Sequence, residues 1–546
     1  MFLRYAVVAS VHVRGLLSIF VLGVVGILIP NLARADIVTG GDVEPEDPST
    51  WSLTSTNGVV GNTASGTLTV DNGSNLACAS LYLGNGSATT GVVSITGFGS
   101  TLTSVLDFQV GFSGKGNLSV TSGGSLIAIA NGQSNIGYET GSSGTVTVSG
   151  TGSNWTDTGA HALYVGRDGN GSLLIRDGGA VTGSEGFIGR EYGAVGVVTI
   201  DGPGSNWSLD NFIYVGGDVH GGGRGNGTLS ITNGGTFLSS TGANASRIGA
   251  DATSVGVVTV EGSGSSFTIN SSLLVGGGGT GTLSVLGGGT ATVCGLSVSN
   301  TSLAAVDVGR GSLLADNSGA GTLTNNGTIR ILAGAGVPAN GVQYSPISAG
   351  SWGGTGTYQA VGGTWNTTNQ TFTASSVTHG TSGTPVALDL ASVQRTLIDD
   401  SGTGWEVGTS FLAKPTSTPL NFTATVMNSG TLNALQRLLA PGQSLLSGWN
   451  FSADAGYTVG DPVYFSFKVG SGYSTDGLDL WDYNGTSWTP YVPTDLTYDG
   501  TFASFTATGL SGYAVAGVAV PEPSTLLLLG VGAVSLLAYA WRRRRV

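Results

Sequence analysis

Gly196-Val197-Val198-Thr199-Ile200-Asp201-Gly202-Pro203-Gly204-Ser205-Asn206-Trp207 and Gly227-Thr228-Leu229-Ser230-Ile231-Thr232-Asn233-Gly234-Gly235-Thr236-Phe237 are two statements of one phrase. It runs Gly, any residue, Leu or Val, any residue, Val or Ile, then a small polar turn. The phrase opens nine times, at Gly66, Gly91, Gly116, Gly144, Gly171, Gly196, Gly227, Gly256 and Gly281. Self-similarity at a period of about 20–50 residues marks a solenoid, a propeller or an array. Each phrase alternates with period 2 and uses β-branched residues, as in Val198 and Ile200, which predicts a strand with one buried face.

Ten or eleven residues after each opening glycine comes a second apolar position: Leu76, Leu102, Leu126, Trp155, Val181, Trp207, Phe237, Phe267 and Ala291. A further strand ends at Leu83, Val110, Ile136, Val165, Ile188, Val215, Ile248, Val275 and Val298, and all but the last are followed by Gly. A unit of about 25 residues cannot bury its apolar face alone, whereas stacking one unit on the next gives a continuous interior. At about 4.8 Å per coil, nine units make a rod of roughly 40 Å. The fold predicted is all-β, a parallel β-helix solenoid. Propeller blades would need about 40–50 residues each, and leucine-rich repeats a helix or an Asn ladder.

The units alternate in kind. Turns such as Ser122-Gly123-Gly124 and Asn233-Gly234-Gly235 take turns with ones a residue longer, such as Gly150-Thr151-Gly152-Ser153-Asn154. The repeat is therefore a two-coil unit of about 50–60 residues. It resembles the repeat shared by some type V secretion passengers and by proteins with a PEP-CTERM tail. The resemblance covers nearly half of the chain and implies architecture and export, not an activity.

The ends give an address. Residues 1–35 read as a signal peptide: Arg4 and Arg14 are the positive region, Gly15 to Pro30 the apolar stretch, and Ala33-Arg34-Ala35 the cleavage site. A retained N-terminal membrane helix is the alternative, against which the short apolar core argues. At the other end, Val520-Pro521-Glu522-Pro523-Ser524-Thr525 precedes an apolar run from Leu526 to Trp541 and a stop of Arg542, Arg543, Arg544 and Arg545. An ordinary C-terminal anchor would use the same run and the same basic stop. The motif resembles the PEP-CTERM sorting signal. That resemblance implies an exosortase-type membrane protease as partner, cutting near Pro521-Glu522-Pro523, with the chain held in the membrane by its C-terminal helix until then.

Between the ends, residues 36–65 are expected to form an entry cap in which Trp51 and Leu53 cover the stack, and 66–300 the regular β-helix. Irregular final coils and a C-terminal cap are expected over 301–378, and the sorting signal over 520–546. From 385 to 518 glycine thins, and strands such as Val463-Tyr464-Phe465-Ser466-Phe467 with Asn484-Gly485 and Asp499-Gly500 turns predict an antiparallel sandwich-like domain. A short helix is expected at Asn433 to Leu439. Removing both ends leaves 12 basic and 31 acidic residues, a balance of −19, which argues against nucleic acid and anionic lipid. Cys78 and Cys294 lie about eight coils apart, too far to pair.

The search for chemistry yields one column. Two residues beyond the glycine closing the last strand, five consecutive coils carry an acid: Glu139, Asp168, Glu191, Asp218 and Asp251. At about 4.8 Å spacing such charges repel, so a bridging divalent cation, calcium for instance, is one reading. Neutralisation by Arg167 and Arg190 is another, and plain turn residues a third. Trp155, Trp207 and Phe267 recur at every second coil as an interior stack or, less economically, a sugar platform. His161, His220 and His379 show no ligand spacing. No cofactor is indicated. The sequence thus predicts an exported, non-enzymatic structural or adhesive protein of the cell surface or of an extracellular polysaccharide matrix. The alternative is a β-helix polysaccharide lyase or hydrolase, which needs carboxylates converging in one groove.

Overall fold

A computed structural model describes residues 36–520 apart from 130–131, 159–161, 220–223, 241–243, 317–320, 335–338 and 455. The expected signal peptide with Ala33 and Ala35, His161, His220, Pro521-Glu522-Pro523 and the Arg542–Arg545 stop lie outside the described residues. Among those described, no helix is long and apolar enough to cross a membrane.

The opening phrases form one face of a β-solenoid. Its sheet holds twelve parallel strands, from Gly66–Asp71 through Val195–Asp201 and Asn226–Thr232 to Thr357–Val361, which bound about eleven turns. Asp36–Gly41 joins the first strand antiparallel and closes that edge. Two further strands per coil, merged into one at Ser266–Val275 and at Thr290–Val298, build the second and third faces, in parallel columns such as Asn206–Leu209 on Ala180–Gly183 and Ile213–Val215 on Glu185–Ile188. Regular spacing continues beyond Val298 through Leu303–Asp307 and Thr328–Leu332.

Register follows from the phrase. Every opening glycine sits on the next, Gly171 on Gly196 and Gly196 on Gly227. A Cβ at Gly196 would lie 2.1 Å from Val165 O and 2.3 Å from Gly189 N, so the corner admits only glycine. Inward positions then stack like on like. Val198, Leu229 and Val258 form one fully buried row, and Val181, Trp207, Phe237 and Phe267 another. Trp207 meets Phe237 edge-on at 5.4 Å, and Phe237 stacks on Phe267 at 5.3 Å. Gly186 leaves room for the indole, since a Cβ there would approach Trp207 to 3.1 Å.

The two-coil alternation has a hydrogen-bonded cause. Short turns begin with a left-handed residue, Asn72, Ser122, Asp177 or Asn233, followed by a left-handed glycine. The N–H of that glycine donates to a buried serine in the longer turn of the following coil. The pairs are Gly73 to Ser100, Gly123 to Ser153, Gly178 to Ser205 and Gly234 to Ser265, all at 3.0–3.1 Å. The fifth short turn is tied differently: its first residue, Gly287, donates its N–H at 2.8 Å to Asp307, which ends the strand of the following coil.

Trp51 covers the entry end, with its indole N–H on Pro45 O at 3.0 Å. Leu53, expected to share that role, is 40% exposed. It follows the short 3₁₀ turn Pro48–Thr50 and points away from the stack's apolar rows. At the far end Trp352, Tyr358 and Trp365 pack against the last coils, where a three-stranded antiparallel sheet closes over Phe372.

The C-terminal β-domain consists of two six-stranded sheets around a shared aromatic core that includes Phe422, Trp449, Phe451, Phe465 and Phe505. Its helix spans Ser429–Gln436, four residues earlier than expected. The Asn428 side chain accepts the Thr431 N–H at 3.0 Å and fixes the start, an N-cap that outweighs the apolar spacing of Leu435 to Leu439. The domain packs on the outer face of the first sheet. Leu286, Ala305, Leu332 and Val361 of the rod close around Tyr464, and Ser410 donates to Ala333 O at 2.6 Å.

Candidate functional site

On the third face of the rod, three outward rows run side by side along the axis. The first is set by strand pleat: Tyr164, Phe187, Tyr214 and Arg247 are partners in register. The second lies two residues past the strand end and changes from aromatic to basic, through Phe112, Tyr138, Arg167 and Arg190. The third, one residue further on, is the acidic column.

These rows interlock. Phe112 stacks on Tyr138 at 5.0 Å with the ring planes only 9° apart. The Arg167 guanidinium lies 4.7 Å from the Tyr138 ring and 5.7 Å from that of Tyr164. Arg190 lies 5.1 Å from the Tyr164 ring and 5.9 Å from that of Phe187. Their other edges meet the acids: Arg167 to Asp168 at 3.5 Å, and Arg190 to Glu191 at 3.2 Å and Asp218 at 2.8 Å. Each guanidinium is thus held between an aromatic face and a carboxylate.

The five acids of the column have different partners. Glu139, exposed, accepts from Ser113 Oγ at 2.6 Å. Asp168, Glu191 and Asp218 face arginines, and Asp218 is only 2% exposed. Asp251 accepts the N–H of Ala252 at 2.7 Å within its own turn. Among the described residues, no three His, Cys, Asp or Glu side chains are grouped to hold a metal ion. Trp155, Trp207 and Phe267 are wholly interior, out of reach of a sugar. Cys78 is fully buried, and burial pushes its thiol up to about 12, while Cys294 is partly buried; neither is bonded to sulfur.

Sequence reading missed the aromatic half of this ladder. Phe112 and Tyr138 occupy the same offset as Arg167 and Arg190, so the signal was present as a column of large planar groups.

A second concentration of polar groups lies where the C-terminal β-domain meets the rod. A cleft of about 410 Å³ has Thr228, Ser230, Thr259 and Glu261 on the rod side, with Asp476 and Thr494 opposite. Glu261 is 2% exposed. It accepts Thr475 Oγ at 3.0 Å and the Tyr498 N–H at 3.3 Å, and burial pushes its carboxyl up to about 7. Burial likewise pushes Asp307 up to about 6. Beside it, Arg310 and Asp499 pair across the interface at 2.7 Å.

Comparison with known protein families identifies a PEP-CTERM protein-sorting motif at residues 519–545. The motif marks an exported chain that is anchored in the membrane before processing and sorted by exosortase, a membrane protease. Neither the curated proteins nor the solved structures contain a match to this chain.

Proposed function

We propose that the processed chain is a non-enzymatic structural or adhesive element of the cell surface or of an extracellular polysaccharide matrix. The observation that carries this reading is the use of charge along the rod. Arg167 and Arg190 are taken up between Tyr138, Tyr164, Phe187 and the neighbouring acids, so these two arginines and the acids they meet serve the stack itself. A rod braced on its outside as well as its inside suits a load-bearing or spacing role.

The test is fractionation of producing cells, followed by incubation of the released protein with their matrix polysaccharide. The expected result is a shortened chain outside the inner membrane that co-sediments with the polysaccharide and leaves its length unchanged. Deleting Pro521-Glu522-Pro523 should retain the unshortened chain in the membrane fraction. New reducing ends or unsaturated sugars in the polysaccharide would overturn the structural reading.

One observation favours the enzymatic alternative. Glu261 and Asp476 line the same cleft, and a carboxyl that holds its proton near neutrality is suited to general acid work. In that case Glu261→Gln would abolish polysaccharide cleavage by the wild-type chain.

A further inference from the structure

We propose that the C-terminal β-domain is latched to the rod by a proton, with Glu261 as the latch. The geometry that carries this is a contact between segments more than 200 residues apart in sequence. Glu261 projects from the outer face of Val255–Glu261 and is enclosed by Thr475 and Tyr498 of the β-domain. Nearby, Thr259 Oγ donates to Thr494 O at 3.3 Å.

The charged groups around the latch are mostly of its own sign. Asp476 follows Thr475 on the β-domain side, and Asp307 lies further along the same sheet. Asp201, two strands back, acts on Asp476. The cation of this region, Arg310, is paired with Asp499 and lies beside Asp307. Glu261 therefore receives two hydrogen bonds and no cation among the described residues.

Release of the domain returns Glu261 to water and to an ordinary carboxyl affinity. The docked form holds the proton up to about pH 7, against about 4.5 for the free side chain. The sign follows: docking is strongest below about pH 4.5, weakens as pH rises from there to about 7, and is flat above. Asp307, held near 6, adds the same sign over a lower window. The full swing in the docked-to-released ratio from Glu261 is up to about 10²-fold.

Hydrogen exchange on the full exported chain, corrected for the intrinsic pH dependence of exchange, reads the contact through the Tyr498 amide and the Val255–Glu261 strand. In wild type, protection there should fall at least tenfold between pH 5 and pH 8, while the strand Lys115–Thr121, several coils away, stays unchanged. Glu261→Gln keeps the shape and both acceptor contacts, so its protection should be high and independent of pH. Thr475→Val removes a hydrogen bond to the carboxylate and should move the wild-type midpoint to higher pH. Equal pH profiles for wild type and Glu261→Gln would overturn the latch. If Glu261→Gln fails to fold, an unmoved midpoint in Thr475→Val overturns it equally. The proposed structural role is independent of either outcome, because it rests on the third face.

Discussion

Replacing Arg190 by Ala tests whether the outer ladder bears load. The guanidinium joins two coils through Asp218 at 2.8 Å and its own turn through Glu191 at 3.2 Å, and it lies over Tyr164 and Phe187. Its side chain is 18% exposed, and that of Asp218 only 3%. Breaking a fully buried pair costs about 3–5 kcal/mol, and partial exposure with a second contact at Asp218 brings this to about 2. Two cation–π contacts at the solvent boundary add about 0.5 kcal/mol each. The expected loss is therefore about 3 kcal/mol. The assay is urea unfolding followed by the fluorescence of Trp155 and Trp207, both wholly buried reporters of the coils beside the ladder.

Arg190→Lys should recover only part of the loss, since an ammonium keeps the charge and gives up the planar stack. A cycle with Asp218→Asn should show a coupling of about 1–2 kcal/mol. A stability within about 0.5 kcal/mol of wild type, or a coupling of zero, would refute the reasoning and reduce the ladder to surface decoration.

Two further outcomes follow from the interior and the turns. Trp207→Ala removes a fully buried indole from its row between Val181 and Phe237, and should cost about 3–5 kcal/mol in the same urea assay. Ser205→Ala leaves the Gly178 N–H without its acceptor and should cost about 1–2 kcal/mol, with faster hydrogen exchange at Gly178 and little change at Gly123.

What could be read from the chain was whatever repeats. Leu68, Val93 and Leu118 declare an inward row through their period of two, and the positions stack as that period requires. The alternation of turn lengths was equally visible. Its cause was not, because Ser205 is one serine among many until the coil before it is placed alongside. The acids at Asp168, Glu191 and Asp218 formed a column at a fixed offset, yet their chemistry depends on Tyr164 and Phe187, which enter from a different offset. Contacts without a period left no trace. Glu261 with Thr475, and Tyr464 with Leu332, join a regular strand to a domain of unrelated pattern, so nothing in either stretch announces the other. The helix at Ser429–Gln436 was misplaced because a single Asn428 cap decides its start.

The reach of each long-turn serine back to the short turn before it has a consequence for how such a rod changes length. Removing one coil would set a short turn against another short turn, with a glycine N–H facing no hydroxyl. Removing two restores the pairing of Ser153 or Ser205 with its neighbour. Lengthening and shortening should therefore proceed by even numbers of coils. At the fifth short turn the Gly287 N–H goes instead to Asp307, in the strand of the next coil, and the serine pairing ends there.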